Sequence, residues 1–224
     1  MQIDILTLFP EVFSSIFSSS IIKRAQDKKI ATIRLINIRD FGEGKHKNVD
    51  DKPYGGGIGM ILKVNIIDRA INFAKQTLKE KKCRIILLDP RGKQFDQQIA
   101  RRLVKYGKII LICGHYEGVD ERVKKLADES LSIGPYILTG GEIPASVITE
   151  TVIRLLPGVL LKPRAIKDES FSKDLFEYPQ YTRPRIYKEL AVPKILFSGN
   201  HAQILAWRQI RQKSVKSPKN VRKD

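Results

Sequence analysis

KIILICGHYEG, residues Lys108 to Gly118, decides how the rest of the chain is read. Lys108 to Cys113 reads as a strand. Ile109 to Cys113 is apolar without alternation, the mark of a strand covered on both faces, and Gly114-His115-Tyr116-Glu117-Gly118 then breaks it with a polar loop bounded by glycines. The same grammar recurs outward. Upstream, Arg84 to Leu88 is a buried strand that meets Asp89-Pro90-Arg91-Gly92, and Gln94 to Lys105 is the helix between the two. Further upstream, Ile3 to Phe9 is a strand, and Pro10-Glu11 opens a helix with Val12, Phe13, Ile16 and Phe17 at helical spacing. Ala31 to Ile38 alternates as a second strand, and Val64 to Glu80 is an amphipathic helix. Downstream, Ile133-Gly134-Pro135-Tyr136 is a third loop. It runs through Leu138-Thr139-Gly140-Gly141-Glu142 into a helix over Pro144 to Leu155. Strands alternating with helices predict an α/β fold, a parallel sheet with helices on both faces. In such sheets ligands bind beyond the carboxyl ends of the strands, where these three loops fall. Gly140 or Gly141 alone reads as a tight turn; three such loops together read as a site.

The composition limits what the site serves. Of 224 residues, 41 are Lys or Arg and 24 are Asp or Glu, a net charge of +17, which suits a polyanion, with nucleic acid ahead of an anionic membrane surface. No apolar run approaches the roughly 20 residues of a membrane span, and MQIDILTLFPEVF lacks the features of a signal peptide, so a cytosolic protein with no membrane partner is expected. Cys83 and Cys113 sit in apolar strand-like runs, as reduced, buried small residues do, and the scattered His46, His115 and His201 outline no zinc site.

The polar segment Arg39 to Gly59 is a long loop ending in YGGGIGM, Tyr54 to Met60. No Lys-Ser/Thr follows its glycines, and Met60 stands where a dinucleotide fold needs its third glycine, so the loop is not read as a phosphate cradle. After Pro157-Gly158 the pattern turns polar and mixed in charge from Lys162 to Lys173. This places a first domain over 1–160, a linker or ligand-ordered loop over 161–175, and a small domain over 176–224. Arg208 to Asp224 is a basic arm with seven basic residues and one acid.

Several motifs carry a resemblance: Val49 to Met60 (VDDKPYGGGIGM), Gly114 to Arg122 (GHYEGVDER), Ser132 to Pro144 (SIGPYILTGGEIP), Tyr181-Thr182-Arg183-Pro184 and Ser198-Gly199-Asn200-His201. They run in order over nearly the whole chain, from Leu8-Phe9-Pro10 to Trp207-Arg208, and together the chain resembles bacterial tRNA (guanine-N1)-methyltransferases. The resemblance implies a SPOUT fold, an α/β domain with a trefoil knot near its C-terminal half and a small, mainly helical C-terminal domain. It also implies S-adenosylmethionine bound in the knot, an obligate two-fold homodimer, and the anticodon stem-loop of tRNA as partner. It assigns the cofactor to three stretches: Leu88, Asp89 and Pro90; Gly114, Tyr116, Glu117 and Gly118; and Ile133, Gly134, Pro135, Tyr136, Ile137 and Leu138 with Gly140 and Gly141. YGGGIGM becomes a wall against which a flat guanine lies, with Gly59 the expected substrate contact.

Methylating guanine N1 requires a base for its proton and a cation near O6. The family's arginine precedes a Pro-Gly-Val-Leu run, here Arg154 before Leu155 to Leu160. Its base is an aspartate directly before Ser-Phe, but this chain reads Asp168-Glu169-Ser170-Phe171. Glu169 is the expected base and Asp168 the alternative. Other departures are His115, where many relatives carry arginine and which reads as exposed, and a short C-terminal part. Trp207 reads as a helix core residue rather than a stacking platform. Magnesium is linked to the family's activity, with Glu117 as candidate ligand, although nothing in the spacing outlines a metal site. Two rival readings stay open: a SPOUT methyltransferase acting at another RNA position, and a non-catalytic basic RNA-binding protein.

Overall fold

The computed structural model describes residues 1–76, 82–160, 169–171 and 175–214, and the chain divides into two units, Met1–Leu161 and Lys162–Asp224. Most of the expected linker, Asp168, the last residues of the helix expected to Glu80, and the arm beyond Ser214 lie outside the described residues.

In the first unit β1 (Gln2–Thr7) leads through a 3-10 turn at Pro10–Phe13 into α1 (Ser14–Phe17) and then α2 (Ser20–Asp27). There follow β2 (Thr32–Asn37), the short β3 (Asp50–Asp51) and β4 (Ile61–Leu62), α3 (Val64–Gln76) and β5 (Cys83–Gln94). The unit closes with α4 (Gln97–Leu103), β6 (Lys108–Cys113), β7 (Glu129–Ser132) and α5 (Glu142–Arg154). Five strands form one sheet in the order β2-β1-β6-β5-β7, parallel at every pairing. Ile5 of β1 lies opposite Leu35 on one side and Leu111 on the other.

Both sheet faces are buried, which is why the β6 run shows no alternation. Ile3, Ile5, Ile109 and Leu111 enter a core shared with Phe13, Phe17, Ile22, Ile99 and Val152. Leu6, Leu87, Ile110 and Ile112 face the other way, against Ile66, Ile67 and Ile71 of α3. The spacing of Ile66, Ile67, Ala70, Ile71 and Ala74 makes one buried stripe on that helix. α4 starts where Asp96 caps it, its carboxylate accepting from the Ile99 N–H at 2.7 Å.

Two expectations need correction, and one helix has no counterpart among them. The helix expected from Pro10 begins as a 3-10 turn and gives only the single turn of α1; the polar α2, SIIKRAQD, was not read at all. The strand expected to end at Leu88 continues to Gln94. Leu88 and Lys93 both pair with Leu131, so Asp89 to Gly92 is a bulge extruded from a continuing strand rather than its terminal loop.

The amino ends of the strands are closed by charge. Asp4 of β1, fully buried, is bound by Lys108 of β6 at 2.8 Å and by Arg34 of β2 at 2.6 Å. Lys108 also donates to the carbonyl of Ala74 at the end of α3, at 2.6 Å. Alongside, Glu129 of β7 accepts from Arg84 at 2.8 Å and from Arg102 at 2.6 Å.

The described part of the second unit holds β8 (Leu175–Phe176), β9 (Ile186–Tyr187), β10 (Leu190–Ala191), α6 (His201–Arg211) and β11 (Lys213–Ser214). β8 pairs with β11 and β9 with β10, both antiparallel, so strand pairs share this part with its helix. Asn200 caps α6, accepting from the Gln203 N–H at 3.1 Å. Trp207 is half-buried, with its ring 6.5 Å from that of Tyr181.

Candidate active site

The loops that follow β6 and β7 and the Asp89–Gly92 bulge of β5, which lies between those two strands in the sheet, converge on a cavity of about 410 Å³. Its lining includes every residue that the resemblance assigned to a cofactor, with the exception of Pro135.

The tightest join is between the first loop and the approach to α5. The Gly141 N–H donates to the Gly114 carbonyl at 2.8 Å, and His115 bridges Gly140 in antiparallel fashion. A Cβ on Gly141 would stand 2.6 Å from the Cα of Cys113, closer than any side chain is tolerated, so backbone must meet backbone here. Burial pushes the Cys113 thiol well up, and the Glu142 carboxylate adds to that, so this cysteine is no nucleophile.

The second wall is the β5 bulge. Burial alone would raise the Asp89 carboxyl, but the Arg91 backbone N–H at 2.9 Å, the Arg91 guanidinium and Lys124 at 3.3 Å hold it below the usual carboxylate range. The third wall follows β7, where the Ser132 hydroxyl donates to the Gly134 carbonyl at 3.0 Å and the Tyr136 hydroxyl to the Ile133 carbonyl at 3.2 Å.

The glycine-rich segment is sewn to the first loop. The Glu117 N–H donates to the Met60 carbonyl and the Leu62 N–H to the Gly118 carbonyl, both at 3.1 Å. Gly55, Gly56, Gly57 and Gly59 all have positive φ, from 80° to 140°, which explains the run of glycine. A Cβ on Gly59 would fall 2.5 Å from Cγ of Glu117, so the expected substrate contact lies directly against the cavity loop. Tyr116 itself is left-handed at φ 59°, an uncommon conformation outside glycine, and its hydroxyl accepts from Arg39 at 3.5 Å.

His115 corrects an expectation. It is not an exposed residue: its ring is half-buried between Phe9 and Tyr116 and lines the cavity. Ser132, Thr139 and Leu131 also join the lining without having been singled out; Ser132 and Thr139 lie inside the quoted motif, while Leu131 had no signal beyond its apolarity. Arg154 is the half-buried last residue of α5, and Glu169 belongs to the second unit. Asp168 lies outside the described residues. Among the described residues no helix is long and apolar enough to cross a membrane.

A parallel α/β sheet with a cavity walled by glycine-bearing loops beyond its strands is the architecture of α/β proteins that take a ligand at that edge of the sheet. The family described as tRNA (Guanine-1)-methyltransferase TrmD matches residues 1–224. A tRNA (guanine-N(1)-)-methyltransferase of Dictyoglomus turgidum is 52% identical over 209 residues, 93% of this chain and 84% of that protein. One from Carboxydothermus hydrogenoformans is 53% identical over 210 residues, 93% of this chain and 81% of that protein. The crystal structure of a tRNA (m1G37) methyltransferase from Aquifex aeolicus superposes with a TM-score of 0.77 at 38% identity, covering 92% of this chain and 87% of that one. The chain belongs to the tRNA (guanine-N1)-methyltransferase family.

Proposed function

We propose that this chain transfers the methyl group of S-adenosylmethionine to N1 of the guanine immediately 3′ of the anticodon in tRNA. The observation that carries the reading is the convergence of three loops, in a member of this family, on one cavity with glycine at its closest approaches. The residues suit the cofactor. Leu88, Ile133 and Leu138 offer apolar surface to an adenine, while the peptide groups around Gly114, Gly140 and Gly141 leave room for main-chain hydrogen bonds. When bound, S-adenosylmethionine supplies an electrophilic methyl group on a positively charged sulfur.

The chain's own residues then have distinct tasks. Gly59, on its left-handed backbone beside Glu117, lets the guanine lie close to the cavity. Glu169 takes the N1 proton, with Asp168 as the alternative base, and Arg154 holds the negative charge that develops on O6. Magnesium, with Glu117 as a ligand, stays part of the reading; among the described residues no group of three or more His, Cys, Asp or Glu side chains is placed to hold a metal ion.

The bond from Gly141 to Gly114 and the His115–Gly140 bridge support the trefoil knot, since they seat the approach to α5 directly on the loop after β6. Exposed apolar side chains on one packed pair of elements, Val12 of the 3-10 turn and Ile143 and Val147 of α5, support a two-fold homodimer. In this reading residues 1–160 form the cofactor-binding catalytic domain, 161–175 an interdomain linker or a ligand-ordered loop that brings the base, and 176–224 a small domain that grips the anticodon stem-loop in the cytoplasm. Guanidinium groups over aromatic rings in the second unit support the last point: Arg185 on Phe197 at 4.7 Å and Arg208 on Tyr178 at 4.8 Å.

The test is methyl transfer to tRNA transcripts carrying guanine on each side of the target position, with the product nucleoside identified, beside calorimetry with S-adenosylmethionine. N1-methylguanosine at the one position is expected. A product elsewhere makes it a methyltransferase of another RNA site; binding of tRNA without any heat from S-adenosylmethionine makes it a non-catalytic RNA binder.

A further inference from the structure

Behind the cavity wall a line of buried side chains has no part in the chemistry above. Glu142, the first residue of α5, is 6% exposed. Its Oε1 accepts from the fully buried Thr7 hydroxyl at 2.8 Å, and that hydroxyl oxygen accepts from the Phe9 N–H at 2.9 Å. Its other oxygen, Oε2, faces the imidazole of His115, 3.9 Å from Nδ1. This Nδ1 is buried and has no hydrogen-bond partner among the described residues. The ring is held by Phe9, with centroids 4.8 Å apart, and by the edge of Tyr116 at 5.1 Å.

A buried, unpartnered imidazole nitrogen 3.9 Å from a buried carboxylate oxygen, just beyond hydrogen-bond distance, is an interaction ready to close once that nitrogen carries the proton. The two partners are rooted differently. Glu142 is anchored to the end of β1 through Thr7 and stands at the start of α5, whose buried face packs into the core under the sheet. His115 belongs to the Gly114–Gly118 loop, whose carbonyl at Gly114 is tied to Gly141 and whose next residue, Tyr116, is left-handed. Gly140 sits where the two approach: a Cβ there would collide with both the Glu142 carboxylate and His115 Nδ1.

We propose that Glu142 is a positioning residue, whose carboxylate receives the Nδ1–H of His115 when the cavity fills and so fixes the Gly114–Gly118 loop at the spacing the ligand needs. The proposal rests on the S-adenosylmethionine reading of the cavity. The bond is made only in the filled state, so it contributes to cofactor affinity and leaves the stability of the empty protein alone.

Two measurements test it on the full chain. The first is calorimetric titration with S-adenosylmethionine, paired with the melting temperature of the empty protein. His115→Phe keeps the ring packing but lacks Nδ1. It is expected to raise the dissociation constant about tenfold, the worth of one hydrogen bond to a charged group, with an unchanged melting temperature. Adding Glu142→Gln to His115→Phe should weaken binding no further, because the two residues act through one bond. The second measurement is the ¹⁵N signal of the His115 ring, assigned by its loss in His115→Phe. With S-adenosylhomocysteine bound, the wild type should carry its proton on Nδ1. In Glu142→Gln the amide can donate to Nδ1, and the proton should move to Nε2. Wild-type affinity in His115→Phe, or an Nε2 proton in the bound wild type, overturns the proposal and leaves the methyl-transfer reading standing. If the wild type binds no S-adenosylmethionine at all, that reading falls and the proposal with it.

Discussion

The two ends of the one parallel sheet are built from opposite materials. At the amino ends, side chains do the joining: Asp4, Lys108 and Arg34 tie β1, β6 and β2, and Glu129 ties β7 to Arg84 of β5 and Arg102 of α4. At the carboxyl ends, main chain does it: Gly141 to Gly114, Glu117 to Met60, Leu62 to Gly118. The first end is held by a buried carboxylate paired with cations; the second is joined by peptide groups at its glycines, with a cavity beside them. The difference separates holding the fold from receiving a ligand, and each end can be broken without the other.

The largest effect is expected at the amino end. Asp4→Ala removes the buried carboxylate shared by the buried Lys108 and the half-buried Arg34 and should lower the unfolding free energy by about 3–5 kcal/mol in urea titration. The folded fraction should bind S-adenosylmethionine as before. Weakened cofactor binding in the folded fraction would mean the two ends are not separable.

Next in size are the groups assigned to chemistry. Arg154→Ala should lower turnover by about 10²–10³-fold with cofactor affinity nearly intact, because it acts on charge that develops only in the transition state. Glu169→Gln should behave alike. An active Glu169→Gln beside a dead Asp168→Asn transfers the base to Asp168.

Smaller again is Gly141→Ala, whose added methyl must part Cys113 from the loop that Gly141 closes. Cofactor affinity should fall about tenfold by calorimetry. An unchanged affinity would show that the two loops can separate without consequence for the ligand.

The smallest effect sharpens the comparison by pH. Burial raises the Glu129 carboxyl, but Arg102 and Arg84 outweigh it and hold the group below the ordinary glutamate range. Its contribution to stability is therefore fully present above the unfolded pKa and is lost as pH falls through the lowered folded value. Urea midpoints of wild type and Glu129→Gln should differ at neutral pH and merge in acid. A difference that persists in acid would assign the effect to packing.

The sheet was legible because its central strands are buried on both faces: Ile109 to Cys113 and Ile85 to Leu88 announce themselves by apolarity alone. The continuation of β5 was not, because Pro90 and Gly92 signal a turn, and a bulge flanked by pairing on both sides uses the same residues. α2 was hidden by its polar content, since only Ile22 and Ala25 are buried. At the site, the glycines stood out locally, but His115 did not. Its burial depends on Phe9 and Glu142, far from it in sequence, and no local pattern encodes that. Thr7 was lost for the same reason, reading as the end of a strand until its hydroxyl met Glu142 across 135 positions.

The main-chain character of the cavity has a consequence for inhibition. Peptide groups at Gly114, Gly140 and Gly141 cannot be exchanged by a point substitution, and a side chain added at Gly140 or Gly141 runs into His115, Glu142 or Cys113. A compound that took its hydrogen bonds from these peptides would leave the enzyme few resistant variants, since most changes that expel the drug would expel the natural ligand too.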